Sequence, residues 1–467
     1  MNYNKRIIIS LICMSMLFLS IIGYLTYFEF FMKDNIVAHS YNQRLTEYEQ
    51  HSLRGKIFDR NGILLAYNEG SIEDQKRVYT YKNLYSHIIG YSSTTYSKSS
   101  LEAKYDAYLE GRDELSSVMG LKNELTGEEK QGNNLVLTID HELQQLGSEL
   151  LKGKSGAVVA MNPETGEVLA LVSKPDFNPT EENLKKNWND IVESDDTSPF
   201  FPRATQGRYA PGSIFKVIIA AGAIENGLES FTVEDEGKVT IDGKEFKNAG
   251  SKAYGNIGLE EALVHSSNVY YTQMGVQLGA GELKSLVERV GFNQSIPFDF
   301  PVSKSTFTYK SMSETAMAEV GIGQGKLQVT PLHMAMITSA IANKGVMMNP
   351  VIVQEVVSPG GFTLLKGKYA STGEIMSAQT AQEINNMMQK VVQDGTGQKA
   401  GIQGITVAGK TGTAQNEKED QEHAWFIGFA PADDPEIAVA VIVEYSGSTG
   451  GEIAAPIAGK IMSQWLR

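Results

Sequence analysis

A serine and a lysine three residues apart, Ser213 and Lys216, open a run otherwise apolar enough to be a buried helix, "APGSIFKVIIAAGA" at 210–223. Pro211 and Gly212 stop the preceding chain, which puts Ser213 at a helix N-terminus. Three residues is nearly one turn, so Lys216 falls on the same face with its amine close to the serine oxygen. Phe215, Val217 and Ile218 disfavour the charged ammonium, and a neutral lysine can take a proton from a hydroxyl. The helix N-terminus adds backbone donors and positive potential where an oxyanion would develop. Such a serine is a nucleophile. Taken alone, the same spacing also describes the commoner case of an N-capping serine beside a lysine whose stem lies along apolar surface.

Two further clusters weigh against that commoner case. In "HSSNVYY", Ser266, Ser267 and Asn268 follow the helical stretch "LEEALV". Ser266 and Asn268 can reach one site if the turn departs from a regular helix, the hydroxyl to relay a proton and the carboxamide to hold a substrate peptide group. By itself, a helix end rich in Ser and Asn is usually only a cap. In "AGKTGTAQ", Lys410, Thr411 and Thr413 stand at the end of a strand, and Gly412 leaves space beside its edge. A peptide can lie along that edge as an added strand while the lysine and the threonine hydroxyls take its carboxylate. Serine-x-x-lysine, serine-x-asparagine and lysine-threonine-glycine, in this order, are the set shared by penicillin-binding proteins and class A β-lactamases. Here the middle motif is SSN, so Ser267 stands where the SDN form carries an aspartate.

Competing motifs carry less. "GITVAGKT" at 404–411 satisfies the phosphate-loop pattern, but Ile405, Thr406, Val407 and Ala408 read as a strand, and "GTAQNEKEDQ" is a poor start for a buried helix. "HELQQ" at 141–145 begins like a zinc-protease helix and has Gln145 where the second histidine belongs. The one cysteine, Cys13, excludes an intramolecular disulfide and a Cys-x-x-Cys metal site. No metal or cofactor is expected. A formal net charge of −14 argues against a nucleic-acid partner, which calls for a basic surface.

These residues need a scaffold, and 467 residues, 42% hydrophobic, leave room for two or three domains. Residues 7–28, "IIISLICMSMLFLSIIGYLTYF", carry no charge and exceed the roughly 20 residues that cross a bilayer as a helix. Lys5 and Arg6 place the tail, 1–6, in the cytoplasm. The apolar run ends in bulky "YFEFF" rather than small residues, so an uncleaved anchor is expected, with 29–467 outside the cytoplasm. Residues 29–134 are polar and contain "RGKIFDRNGILLAYNEG", with a hairpin signal at Asn61-Gly62; they read as a non-catalytic pedestal ending in the linker "EEKQGNN" at 128–134.

The second domain, 135–467, begins at "LVLTID". Two strands flank the turn "NPETGE" within 155–175, the acidic stretch 179–200 reads as a loop, and 210–227 is the helix of Ser213. A hairpin turns on Asp242-Gly243, helices cover 258–291 and 330–344, and three strand-like runs follow, "GITVAGKTGTAQ", "HAWFIGFAP" and "EIAVAVIVEY". "EIAAPIAGKIMSQWL" closes the chain as a helix with Pro456 near its start. Early and late strands around an inserted helical cluster make an α/β layered domain.

At this point the chain resembles a class B penicillin-binding protein, a peptidoglycan D,D-transpeptidase. The likeness runs through "RGKIFDRNGILLA", "LVLTID", "GAVVAMNPETGEVLAL", "RATQGRYAPGSIFK", "GNIGLEEALVHSSN", "GIGQGKLQVTPLHMA", "AGKTGTAQ" and "HAWFIGFAP". "HIIGYSSTTYSKSSLEAKYDAYLEG" and the short membrane-proximal module are similar to the penicillin-binding protein A group of Gram-positive bacteria, although Ser97 and Ser100 stand where that group tends to have glycines. The resemblance implies a serine β-lactamase-like domain, an antiparallel sheet flanked by helices with a helical subdomain, on a small mixed α+β pedestal with one transmembrane helix. It implies that Ser213 attacks the penultimate D-alanine carbonyl of a stem peptide and Lys216 takes its proton. Ser266 with Lys410 would return a proton to the departing D-alanine, Asn268 would orient the donor peptide, and Thr411 and Thr413 beside Gly412 would bind its carboxylate. Backbone N–H groups of Ser213 and Thr413 would form the oxyanion hole. Implied partners are donor and acceptor stem peptides, β-lactams as covalent inhibitors, and a SEDS-type glycosyltransferase meeting the membrane helix and the "RGKIFDRNG" module.

Other functions remain open at this level. A D,D-carboxypeptidase or a β-lactamase differs only in using water as acceptor, which these motifs do not specify. A penicillin-sensing receptor needs cytoplasmic output, for which about six residues are too few. A non-catalytic scaffold of the wall-synthesis complex is the remaining alternative.

Overall fold

The computed structural model describes residues 3–27, 52–113, 116, 130–192, 198–414 and 421–467. Met1 and Asn2 of the tail, Phe28 of the anchor, 29–51 of the expected pedestal, 128–129 of the linker and Gln415 lie outside these residues.

The strand Gly156–Met161 is apolar at every position because both faces of its sheet are covered. Ala157, Val159 and Met161 pack into one core and Val158 and Ala160 into another, the period-2 alternation of a strand written twice in apolar residues. The sheet runs Ala408–Ala414, His423–Ala430, Ile437–Val443, Gly156–Met161, Val168–Lys174, with every neighbouring pair antiparallel. The closing helix Gly450–Trp465 and the helix His141–Leu150 cover one face. Pro331–Ala342 covers the other, where the helices Lys216–Glu225, Leu259–His265, Asn268–Arg289 and Ala378–Gln393 gather into one core with it. The strand carrying Lys410, Thr411 and Thr413 is an edge strand, open to an added peptide.

A second sheet has the order Thr363–Lys366, Val353–Val357, Asn134–Leu137, Ile57–Phe58, Leu64–Glu69, Lys76–Tyr79. The hairpin expected at Asn61-Gly62 joins Ile57–Phe58 to Leu64–Glu69. The strand Asn134–Leu137 takes Asn134 from the expected linker and the first three residues of "LVLTID"; it runs parallel to Ile57–Phe58 and antiparallel to Val353–Val357, so one sheet is shared by early and late parts of the chain. Beneath it Arg54 is buried against Glu102 (2.7 Å), Asp106 (2.7 Å) and Glu110 (2.5 Å), and Arg77 against Glu102 (2.6 Å). The N-terminal helix Tyr3–Tyr27 contains a span, Ile7–Tyr27, long and apolar enough to cross a membrane.

Several local expectations need correction. The stretch expected as a loop at 179–200 contains the helix Glu181–Val192, whose Leu184, Trp188 and Ile191 pack on Tyr91, Phe177 and Phe200; the apolar stripe is thin enough to be masked by the surrounding acidic and polar residues. Residues 193–197 of that stretch lie outside the described residues. Of Ile405 to Ala408, only Ala408 belongs to a strand. A turn at Gln403-Gly404 bridges Ile402 to Ile405, and the edge pairing starts later. Pro456 lies inside the closing helix rather than near its start. The hairpin at Asp242-Gly243 pairs Lys238–Ile241 with Lys244–Lys247 as expected.

Candidate active site

The single helix expected over 210–227 is divided. Gly212–Phe215 forms a tight 3-10 turn, and the α-helix runs Lys216–Glu225. In a 3-10 turn residues i and i+3 eclipse, which keeps Ser213 and Lys216 on one side. Gly212 has φ +56°, and a methyl group there would lie 2.7 Å from the Thr413 carbonyl oxygen. Glycine is therefore required twice, for conformation and for close approach to the edge strand. The Gly212 N–H donates to Gly323 O (2.9 Å). Upstream, Arg203 donates to both Glu444 carboxylate oxygens (3.0 and 3.1 Å), Tyr209 donates to the same carboxylate, and Trp425 Nε1 donates to Ala210 O (3.2 Å). These bonds fix the path into the serine turn.

Lys216 is fully buried, and its Nζ donates to Ser266 O (2.8 Å), Ser266 Oγ (3.3 Å) and Asn268 Oδ1 (2.8 Å). The amine is thus bonded to the SSN turn rather than to the Ser213 hydroxyl, because a group stripped of water takes the oxygens that surround it. Burial pushes the lysine well below its usual range, the charge of Lys410 adds to this, and Asp235 opposes it. The SSN turn departs from regular helix as the spacing required: Ser266 ends Leu259–His265 in the left-handed region (φ +58°, ψ 40°). Ser267 then caps Asn268–Arg289 by accepting the Tyr270 N–H at 3.0 Å.

Lys410, also fully buried, donates to Ser266 Oγ (2.9 Å) and Thr411 O (3.0 Å), and burial lowers its pKa to about 7. It is the third residue of a strand that continues to Ala414, so no helix follows it as a phosphate loop requires. A methyl group on Gly412 would lie 2.9 Å from Ile214 Cγ2 and 3.1 Å from Trp425 Cβ; the strand rests directly on the serine turn. Ser213, Ser266, Asn268, Thr411, Gly412 and Thr413 line one cleft of about 820 Å³, with the two lysines beneath Ser266.

Three neighbours escaped the sequence reading. Thr396 shares a hydrogen bond with the Thr411 hydroxyl (2.6 Å between Oγ1 atoms), and Asp235 and Asn248 hold the SSN turn. Val233, Asp235 and Gly237 are buried while Glu234 and Glu236 are exposed, the alternation of a half-buried strand. The acidic run "EDE" hides this alternation. Among the described residues no group of three or more His, Cys, Asp or Glu could hold a metal ion.

Comparison with known proteins agrees with this geometry. The family profile for the penicillin binding protein transpeptidase domain matches residues 156–463, and that for the penicillin binding protein A dimerisation domain matches 54–135. The chain belongs to the class B penicillin-binding proteins. It is 32% identical to the peptidoglycan D,D-transpeptidase PbpA of Mycolicibacterium smegmatis, over 94% of each chain. Among solved structures it is similar to penicillin-binding protein A of M. tuberculosis in its ceftriaxone acyl-enzyme complex, with TM-score 0.85, 31% identity, and 91% of this chain and 100% of that one covered. It is also similar to PBP2 of Pseudomonas aeruginosa, with TM-score 0.76, 30% identity, and 89% and 96% covered.

Proposed function

We propose that this protein is an acyl-serine D,D-transpeptidase that crosslinks peptidoglycan stem peptides. The observation that carries the reading is the Ser266 hydroxyl held between two buried lysines at the floor of the cleft that Ser213 lines. A neutral Lys216 has two N–H bonds to give, and Ser266 O and Asn268 Oδ1 accept at 2.8 Å each. Its lone pair is then left to take the Ser213 proton as Oγ attacks the penultimate D-alanine carbonyl carbon. The Ser213 and Thr413 N–H groups would hold the oxyanion. The peptide C–N bond breaks, Ser266 and Lys410 deliver a proton to the amine, D-alanine leaves, and an ester on Ser213 remains. An amine from a neighbouring stem peptide takes the acyl group and returns the enzyme. Asn268 orients the donor and Thr411 and Thr413 take its carboxylate, Thr396 fixing the Thr411 hydroxyl. In a β-lactam the leaving nitrogen stays tethered to the acyl group, so the acyl-enzyme persists.

The domain assignment we propose is a tail at 1–6, an anchor at 7–28, a pedestal with linker at 29–134 and a transpeptidase domain at 135–467, the catalytic part outside the cytoplasm. A SEDS-type glycosyltransferase is the proposed membrane partner. Within "RGKIFDRNG" Arg54, Ile57 and Asp59 are buried, so contact with that module falls on Lys56, Asn61 and Gly62.

The test is labelling of the full chain by a fluorescent penicillin, wild type against Ser213→Ala. A stable adduct in the wild type alone supports the reading; an adduct in both would move the nucleophile elsewhere. Supplied with lipid-linked pentapeptide strands, the enzyme is expected to form crosslinked dimers with release of D-alanine. Tetrapeptide without any crosslink would make it a carboxypeptidase.

A further inference from the structure

Asp235 ends the short strand Val233–Asp235, is fully buried, and forms no salt bridge among the described residues. Its Oδ1 accepts from Gly237 N and Asn248 Nδ2 (2.8 Å each), and its Oδ2 from Asn248 Nδ2 (2.8 Å) and Ser267 Oγ (2.6 Å). Asn248 turns its own Oδ1 to the N–H groups of Asn268 (2.7 Å) and Val269 (3.1 Å). The middle serine of the motif and the start of the following helix are therefore both tied to one carboxylate. Capping that helix needs only the Ser267 hydroxyl, and a neutral partner for it would avoid the desolvation cost of a buried charge. The carboxylate needs a further reason, and the two lysines converging on the same turn provide it.

We propose that Asp235 is a positioning residue of the acylation reaction: through Ser267 and Asn248 it fixes Ser266 and Asn268 against the two buried lysines, and it supplies, from 32 residues upstream, the negative charge that the SDN motif carries at its centre. This rests on Ser213 being the nucleophile and Lys216 the base. The groups around Lys216 are Lys410 from the edge strand, the Tyr271 ring 5.5 Å from Nζ, and Asp235. His265 and Tyr254, stacked at 4.7 Å, line the cleft wall. A negative charge near Lys216 favours its ammonium form. Its removal makes the neutral amine available at lower pH, so the acid limb of acylation moves down.

The experiment measures the rate constant of penicillin acylation against pH for the full chain, wild type against Asp235→Asn, with Ser213→Ala as control. Asparagine keeps the volume: its Oδ1 can accept from Gly237 N and Asn248 Nδ2 and its Nδ2 can donate to Ser267 Oγ, at the cost of the second Asn248 contact. The expected result is a fall of at least about tenfold on the plateau, with the acid limb displaced by about one unit to lower pH. The double variant Asp235→Ser with Ser267→Asp, which moves the carboxylate into the motif, is expected to recover the wild-type limb. A merely structural role would change the plateau and leave the limb in place, so an unmoved limb in Asp235→Asn overturns the proposal. Should that variant not fold, Asp235→Ser alone against the double variant decides: a limb displaced in the single variant and restored in the double supports the relocated charge, and the same limb in both overturns it. Labelling that survives Ser213→Ala would instead sink the underlying reading, whatever Asp235 does.

Discussion

Two of the places where the protein buries charge are built on opposite terms. In the pedestal, burial alone would push Arg54 down, but Glu102, Glu110 and Asp106 outweigh it and the guanidinium ends well above its ordinary range. Burial would likewise raise Glu102, yet Arg77 and Arg54 bring it below the usual carboxylate range, and Arg54 with Lys98 does the same for Asp106. Arg54, Glu102 and Asp106 are thereby held in their charged forms. In the cleft, two lysines face one another, the carboxylate that opposes Lys216 is spent on the SSN turn, and burial lowers both amines. Compensation makes a buried ionic cluster a structural lock, and under-compensation makes it a source of groups that exchange protons near neutral pH.

The comparison breaks most visibly at Lys216. Lys216→Met is expected to lower penicillin acylation by about 10²–10⁴-fold while the protein still melts cooperatively; acylation within a few-fold of wild type would place the base elsewhere. Arg54→Met should do the reverse, leaving the buried Glu102 and Glu110 and the partly buried Asp106 each short of a partner and costing about 3–5 kcal/mol in denaturant unfolding, with the folded fraction acylated normally. Lys410 tests the sign. Its folded pKa, about 7, lies below its unfolded value, so between these the unfolded chain binds the extra proton and stability rises with pH. In Lys410→Met the slope of stability against pH above 7 should fall by about 1.4 kcal/mol per unit, which urea unfolding at a series of pH values reads directly. The smallest effect belongs to the half-exposed pair Arg60 and Glu167, 3.5 Å apart, where Arg60→Met should cost no more than about 1 kcal/mol.

How much of this could be read in the chain depends on how local the determinant is. Ser213, Lys216, Ser266, Asn268, Lys410, Thr411 and Thr413 announce themselves by spacing, and the structure lines one cleft with the serines, Asn268 and the threonines and seats both lysines beneath Ser266. The strands were legible where apolar runs are bounded by turn residues, as in "GAVVAM" and "HAWFIGFA". What escaped depends on distant partners. Asp235 is defined by bonds to Ser267 and Asn248, and Thr396 by Thr411, none of which has a fixed separation in sequence. The helix Glu181–Val192 shows only Leu184, Trp188 and Ile191 toward its aromatic neighbours, too little to outweigh its polar composition. The left-handed turn at Ser266 was required by the chemistry before it was visible in the residues.

The central claim is that an under-compensated, buried Lys216 is neutral when the enzyme works. The direct measurement is the second-order rate constant for penicillin acylation of Ser213 in the full chain, followed by adduct mass across pH 5 to 10. The account expects appreciable acylation at neutral pH, with the acid limb of the profile well below the range of an ordinary lysine, near 10.4. A rate that climbs about tenfold per pH unit from pH 7 to 10 with no plateau would mean that the lysine titrates as though exposed, and would contradict it.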